Sequence, residues 1–412
     1  MASMLLAMDA CIRNDDDHTL AGPTGGPIGM LTIGDRKRKA PRIVVCAALL
    51  AMTLAGGCLQ MRLGDSEAGL VLEDLVSNDS RLRDRTDRPT FRALRFGGDG
   101  RQLRGDLYLP ADRVRAAIVL VPGLAVAGKN DPRLVALART LARVNFVVLI
   151  PEVPGFRGYH MGVEAVEVLV TAVQALDGVP ELQPRSPVGL GAFSFAVGPA
   201  LIAALDPRVA DRVNFVVAVG GYHDLRRLIT YYTTGGHRDD RDTPTPYDKG
   251  KWIFALGVSE KLDDASDRLA IQAAARRAIY ANAGDMDVPV PAGLSPGGAA
   301  LLELLGNTTP ERVPILLARL PAPLRAEITA LNPAEQQLHG LHARLLLLHG
   351  RSDNIIPYTE SIALAESVPA GGADLFIIDG LAHVDLQPTS GDVDVLLSMI
   401  DALLAQRASP NQ

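Results

Sequence analysis

An α/β domain is the architecture this sequence predicts: a mostly parallel central sheet, helices on both faces and a helical insertion between two strands. Three observations predict it. First, apolar runs of strand length alternate with helical patterns on both sides of a central block. Strands that are apolar throughout, rather than at alternate positions, belong to parallel sheets covered on both faces. Second, that alternation stops over residues 225–340, where helical segments and Pro-rich turns take over. Third, 412 residues with 48% hydrophobic content suffice for one large core plus an insertion.

The elements follow in order. Phe91 to Phe96 and Gln102 to Leu109 flank Gly97-Gly98-Asp99-Gly100, a glycine-rich turn that predicts an opening hairpin. Ala116 to Val121 is an apolar strand stopped by Pro122-Gly123. Leu134, Leu137 and Leu141 have the spacing of one helix face. Phe146 to Ile150 is the next strand, Val163 to Leu176 a helix, Val188 to Phe193 a strand, Val197 to Leu205 a helix and Val213 to Val219 a strand. Beyond the insertion the rhythm resumes with Leu345 to Leu348, Tyr358 to Ser367, Leu375 to Ile378 and Val393 to Leu404. The core therefore comprises residues 91–224 and 341–412, with a helical cap at 225–340. Within the cap, Trp252, Phe254 and Leu301-Leu302-Glu303-Leu304-Leu305 are expected to pack the cap's own interior.

The N-terminus reads as a targeting segment over residues 1–58. Residues 34–42 are basic, Ile43 to Ala55 is a short apolar run, and Gly56-Gly57 follow. A basic head, an apolar middle and small residues before a cut site make a secretory signal. Leu54-Ala55-Gly56-Gly57-Cys58 resembles a bacterial lipoprotein lipobox, with Ala55 where that pattern prefers Leu. The resemblance implies that Cys58 is lipidated and becomes the first mature residue. The alternative is an uncleaved anchor over Ile43 to Met61. Either places the catalytic domain in the cell envelope, facing the periplasm or exterior, because the positive flank stays inside. Met30 is a second candidate start. Residues 59–90 are polar and charged, and predict a flexible tether.

Other function classes are disfavoured. The net charge of -6 offers no basic stripe for nucleic acid. The three cysteines, Cys11, Cys46 and Cys58, all precede the core, so no thiolate metal site or disulfide is available there. His339 and His342 lack a third ligand at matching spacing. No cofactor and no metal is expected.

Three residues carry the chemistry. Gly191-Ala192-Phe193-Ser194-Phe195-Ala196-Val197-Gly198 puts one serine where a strand gives way to a helix. A tight turn there needs small residues two before and two after the serine, and Ala192 and Ala196 supply them. His349-Gly350-Arg351-Ser352-Asp353-Asn354-Ile355-Ile356-Pro357 puts Asp353 just past a buried strand, and Asp379-Gly380-Leu381-Ala382-His383 puts His383 past the next. Each alone has an ordinary explanation: a helix cap, a turn aspartate, a loop histidine. Together they fall in the chain order serine, acid, histidine.

That order, the Gly350-x-x-Asp353-x-x-Ile356-Pro357 run and the Gly380-x-x-His383 run resemble the α/β-hydrolases over residues 91–220 and 340–406. The family's usual Gly-x-Ser-x-Gly has alanine here at both glycine positions. The resemblance implies a nucleophile at Ser194, a base at His383 and an orienting acid at Asp353. It also implies an oxyanion hole from the backbone N–H groups of Phe195 and Leu124, although Pro122-Gly123 stands where the family often has His-Gly. Glu152-Val153-Pro154-Gly155-Phe156-Arg157-Gly158 resembles a structural loop of the same family. The expected activity is cleavage of a small-molecule carboxylic ester or lipid by an esterase or lipase-like enzyme held at a membrane. An acyltransferase using the same triad, and a non-catalytic hydrolase-like lipoprotein acting as a binding module, remain as alternatives.

Overall fold

The computed structural model describes residues 64–97, 102–236, 245–281 and 291–408, all within one unit that spans Gly57–Gln412. Among the described residues two helices come first, α1 (Glu67–Val76) and α2 (Arg81–Arg85), followed by the hairpin strands β1 (Thr90–Phe96) and β2 (Leu103–Leu109). Then come β3 (Ala116–Val121), α3 (Pro132–Arg143), β4 (Phe146–Pro151), α4 (Glu164–Leu176), β5 (Val188–Phe193), α5 (Val197–Leu205) and β6 (Val213–Val219). After the insertion the chain makes β7 (Arg344–Gly350), α12 (Thr359–Ser367), β8 (Ala373–Ile378), a two-residue hairpin β9 (Leu381–Ala382) and β10 (Asp385–Leu386), and α13 (Val393–Ala405).

Eight strands form one sheet in the order β1-β2-β4-β3-β5-β6-β7-β8. The pairs β1/β2 and β2/β4 are antiparallel, and every pairing from β4 through β8 is parallel. The apolar character of the central strands explains this. β3 and β4 are buried at every residue, because helices cover both faces. Alternate residues of β3 feed two different cores. Ala117, Val119 and Val121 meet Val168, Leu169 and Leu201 on one face, while Ala116, Ile118 and Leu120 meet Leu134, Leu141 and Leu403 on the other.

One expectation is corrected. Residues 59–90 were expected to be a flexible tether, yet the described part, 64–90, is largely α1 and α2 packed on the second of those cores. The polar flanks conceal an apolar stripe: Ala68, Val71 and Leu72 are buried against the faces of α3 and α13. Ser66 caps α1 by accepting from the Gly69 N–H at 3.1 Å. Arg407, itself buried, grips Glu67 through both guanidinium Nη atoms at 2.6 Å. That bidentate contact is the first reason the Glu67 carboxyl is held below its ordinary range. The targeting segment, Cys58 included, lies outside the described residues. Among the described residues no helix is long and apolar enough to cross a membrane.

The insertion between β6 and β7 holds six described helices: α6 (Leu225–Thr234), α7 (Gly250–Val258), α8 (Ala265–Tyr280), α9 (Pro296–Leu305), α10 (Val313–Arg319) and α11 (Ala322–Ala330). Trp252, Phe254, Leu301, Leu304 and Leu305 are buried. The insertion touches the loops at the carboxyl ends of the strands. The Tyr247 N–H donates to the Asn354 carbonyl at 2.8 Å, just past β7, and the Met161 N–H to the Gly257 carbonyl at 3.2 Å, just past β4. Glu360, buried on α12, accepts from the His223 and Asp224 N–H groups and from Arg227, and so ties the start of the insertion to the core.

Candidate active site

The sheet order fixes where a site can form. From β3 the chain moves outward to β4 on one side, whereas β5 and β6 build the other side. The loops leaving β3 and β5 therefore diverge, opening a crevice at the carboxyl ends of the strands. Ser194 leaves β5 at that crevice. It opens a single 3-10 turn, Ser194–Ala196, before α5. Its φ is 57°, in the left-handed region that a residue with a Cβ adopts only when its surroundings hold it there. Ala192 and Ala196 are both fully buried around the turn, so alanine is small enough at both positions.

Ser194, Asp353 and His383, far apart in sequence, come into one hydrogen-bonded line. His383 Nε2 lies 2.7 Å from Ser194 Oγ, and its Nδ1 lies 2.9 Å from Asp353 Oδ2. The other carboxylate oxygen, Oδ1, accepts from the N–H groups of Ile355 and Ile356 at 2.8 and 3.0 Å. Asp353 has no exposed surface and Ser194 is half-buried, so the line runs from the interior toward the crevice. Burial alone would raise the Asp353 carboxyl, but the His383 charge and hydrogen bonds from His349 and His383 outweigh it and hold the group well below the usual carboxylate range.

The His383 loop is itself held. His383 has φ 57° at the tip of the β9/β10 hairpin. Buried Asp392 accepts from the N–H groups of Asp379, Gly380 and Thr389 at 2.8 to 2.9 Å, which closes the loop around the histidine.

The two residues expected from sequence to supply an oxyanion hole also adjoin the serine. Phe195 is its immediate successor and is buried, with its ring stacked on Tyr222 at 5.4 Å. Leu124 follows Gly123, and a Cβ on Gly123 would lie only 3.8 Å from Ser194 Cβ and 3.5 Å from the Phe193 carbonyl oxygen. The loop after β3 thus passes directly beside the serine. The 152–158 loop braces it: Arg157 Nε donates to the Val126 carbonyl at 2.8 Å. The geometry can deliver a proton from Ser194 Oγ to His383 Nε2 and can hold the resulting imidazolium against Asp353.

Sequence reasoning missed several supporting groups. Gly220, at the end of β6, has φ 60°, and a Cβ there would lie 3.4 Å from both Asp353 Oδ2 and the His383 carbonyl oxygen. The Gly220-Gly221 pair right after a buried strand was the signal for it. Gly220→Ala is expected to cost about 1–2 kcal/mol through the left-handed φ alone. Its methyl would meet Asp353 Oδ2 and the His383 carbonyl oxygen at ordinary van der Waals distance, so kcat should fall by no more than about tenfold. Urea denaturation and steady-state kinetics on one preparation check this; a loss of about 100-fold would mean that the methyl displaces the acid–histidine pair.

Tyr231 on α6 donates its hydroxyl to the Asn354 carbonyl at 3.2 Å, next to Asp353. Burial first, then the Asp353 charge, pushes the Tyr231 and Tyr232 hydroxyls far up, so both stay protonated donors. Tyr159, past β4, is pushed up to about 12, mainly by burial. The folded state therefore holds this proton more tightly than the unfolded chain, whose tyrosine ionises near about 10. Its stabilisation is complete below about pH 10 and is lost as pH rises toward the folded value, at about 1.4 kcal/mol per unit. Tyr159→Phe should flatten the alkaline decline in urea-unfolding free energy by that amount; an unchanged slope would contradict the assignment.

Of the set-aside histidines, His342 pairs with Asp211 at 3.0 Å on the surface, and among the described residues no cluster of three or more metal-ligating side chains occurs.

The order of this mostly parallel eight-stranded sheet is that of the α/β-hydrolase fold. No family model matches the chain. A probable isoprenylcysteine α-carbonyl methylesterase of Oryza sativa subsp. japonica is 40% identical over 74 residues, a segment that is 17% of each chain. The chain thus matches under a fifth of that relative's length. Among solved structures, Est1E from Butyrivibrio proteoclasticus is 14% identical, with a TM-score of 0.42 over 76% of this chain and 98% of that one. Dienelactone hydrolase from Anabaena variabilis is 14% identical, with a TM-score of 0.40 over 77% and 97%. An acylaminoacyl peptidase from Pyrococcus horikoshii is 13% identical, with a TM-score of 0.41 over 78% of this chain but only 42% of its own.

Proposed function

We propose that this chain is a serine hydrolase that cleaves carboxylic esters through an acyl-enzyme. The observation that carries the proposal is the unbroken line Ser194 Oγ, His383 Nε2, His383 Nδ1, Asp353 Oδ2, with both links at 2.9 Å or less. The segment similar to a methylesterase adds support for an ester as the substrate.

The steps follow from the geometry. His383 Nε2 takes the Ser194 hydroxyl proton as Oγ bonds to the ester carbonyl carbon. Asp353 keeps the Nδ1 proton in place and stabilises the imidazolium. The oxyanion forms beside the N–H groups of Phe195 and Leu124. Collapse breaks the carbon–oxygen bond to the alcohol, which leaves with the Nε2 proton. Water then attacks the acyl-enzyme, gives its proton to the same nitrogen, and returns Ser194 with release of the acid.

A helical cap beside an ester-cleaving crevice suits a substrate with an apolar acyl chain. The lipobox-like run ending at Cys58 suits a lipid-anchored enzyme on the outer face of a bacterial membrane. A series of p-nitrophenyl esters from acetate to palmitate tests the substrate class. Esters of medium or long chain should give the highest kcat/KM. A monotonic fall from acetate onward would reject the lipid-like substrate while leaving the esterase in place. Repeating the assay with an added alcohol separates hydrolysis from acyl transfer, which would yield a new ester in place of the free acid.

A further inference from the structure

Asp353 is flanked by two histidines, and the triad accounts for only one. His349, the penultimate residue of β7, has no exposed surface. Its Nε2 lies 2.9 Å from the Ile356 carbonyl oxygen and 3.3 Å from Asp353 Oδ2, the same oxygen that meets His383. Its Nδ1 lies 2.6 Å from the Ser361 hydroxyl, in the first turn of α12.

The partners decide the tautomer. A carbonyl oxygen can only accept, so Nε2 carries the hydrogen. Ser361 can donate, so Nδ1 is its acceptor and the neutral imidazole is satisfied at both nitrogens. The single Nε2 hydrogen then points between the Ile356 carbonyl and Asp353 Oδ2. With Ile355 and Ile356 N–H groups on Oδ1 and two histidines on Oδ2, rotation of the carboxylate is blocked from both sides. The other ionisable groups that sense this carboxylate are the hydroxyls of Tyr231 and Tyr232 on α6.

We propose that His349, fixed in its Nε2–H tautomer by Ser361, is a positioning residue that sets the orientation of Asp353 and through it that of the His383 ring. The proposal rests on the serine-hydrolase reading of the triad. It goes further by assigning a role to a buried dyad that β7 and α12 bring together.

The side chains available for substitution separate positioning from packing. The terminal amide of glutamine can reach the place of Nε2 and donate there; that of asparagine falls near Nδ1 and cannot. His349→Asn is expected to lower kcat on a p-nitrophenyl ester about 10- to 100-fold with KM within about twofold. His349→Gln should recover kcat to within about threefold of the parent, although both variants lose similar packing and should melt at similar temperatures. Ser361→Ala deletes one hydroxyl, keeps the chain's volume nearly intact, and is expected to lower kcat about three- to tenfold with KM unchanged. It serves where His349→Asn does not fold. Equal kcat losses in the asparagine and glutamine variants, or parent-like kcat in either His349→Asn or Ser361→Ala, would overturn the proposal. A parent that neither turns over esters nor reacts with a fluorophosphonate would instead defeat the reading on which it rests.

Discussion

Ser194→Ala is expected to lower kcat on an activated ester by about 10⁵- to 10⁶-fold, and adding His383→Ala should remove almost nothing more. The reason is the 2.7 Å link between Ser194 Oγ and His383 Nε2. A serine hydroxyl without its base, or a base without its hydroxyl, cannot make the acyl-enzyme. The two therefore act as one unit and their losses do not add. Neither substitution should destabilise the fold severely. Ser194→Ala keeps the Cβ that the φ of 57° already accommodates, and the hairpin that carries the buried His383 is held independently by Asp392. Steady-state kinetics of both single variants and the double variant check this. Losses that multiply would mean that serine and histidine act in separate steps.

Asp353→Asn should be nearly as damaging, at about 10⁴-fold in kcat with KM little changed. The backbone dictates which way the amide faces. The Ile355 and Ile356 N–H groups need an acceptor at the Oδ1 position, so the asparagine oxygen must sit there. Its NH2 then takes the Oδ2 position and points a donor at His383 Nδ1. That nitrogen can only answer as an acceptor, so the ring hydrogen moves to Nε2, the atom that must receive the serine proton. The same NH2 also faces the hydrogen on His349 Nε2, which adds a donor–donor conflict. A loss below about tenfold would mean that the histidine tautomer is set by something other than Asp353.

The parallel part of the sheet was legible in the sequence because its central strands are apolar along nearly their whole length. Ala116–Val121, Val188–Phe193 and Val213–Val219 end where the apolar runs end, at Pro122, Ser194 and Gly220. Ser194, Asp353 and His383 stood out together because each lies shortly past the end of a strand. Residues 64–90 were not legible. Their composition is that of a linker, and only the spacing of Ala68, Val71 and Leu72 reveals a helix with a buried stripe. The groups that hold the triad were also largely invisible. Gly220 and Asp392 act through space on residues distant in sequence, and only the Gly220-Gly221 pair after a buried strand left a local signal. His349 stood beside Asp353 at a spacing of four, yet reads from sequence as the end of an apolar strand.

The most direct test of the central claim is fluorophosphonate labelling of the full chain, read by intact mass and by peptide mapping, beside Ser194→Ala. The account predicts one adduct per chain, on the peptide that contains Ser194, and none on the variant. A folded parent that stays unlabelled, or an adduct that persists when Ser194 is gone, would contradict it.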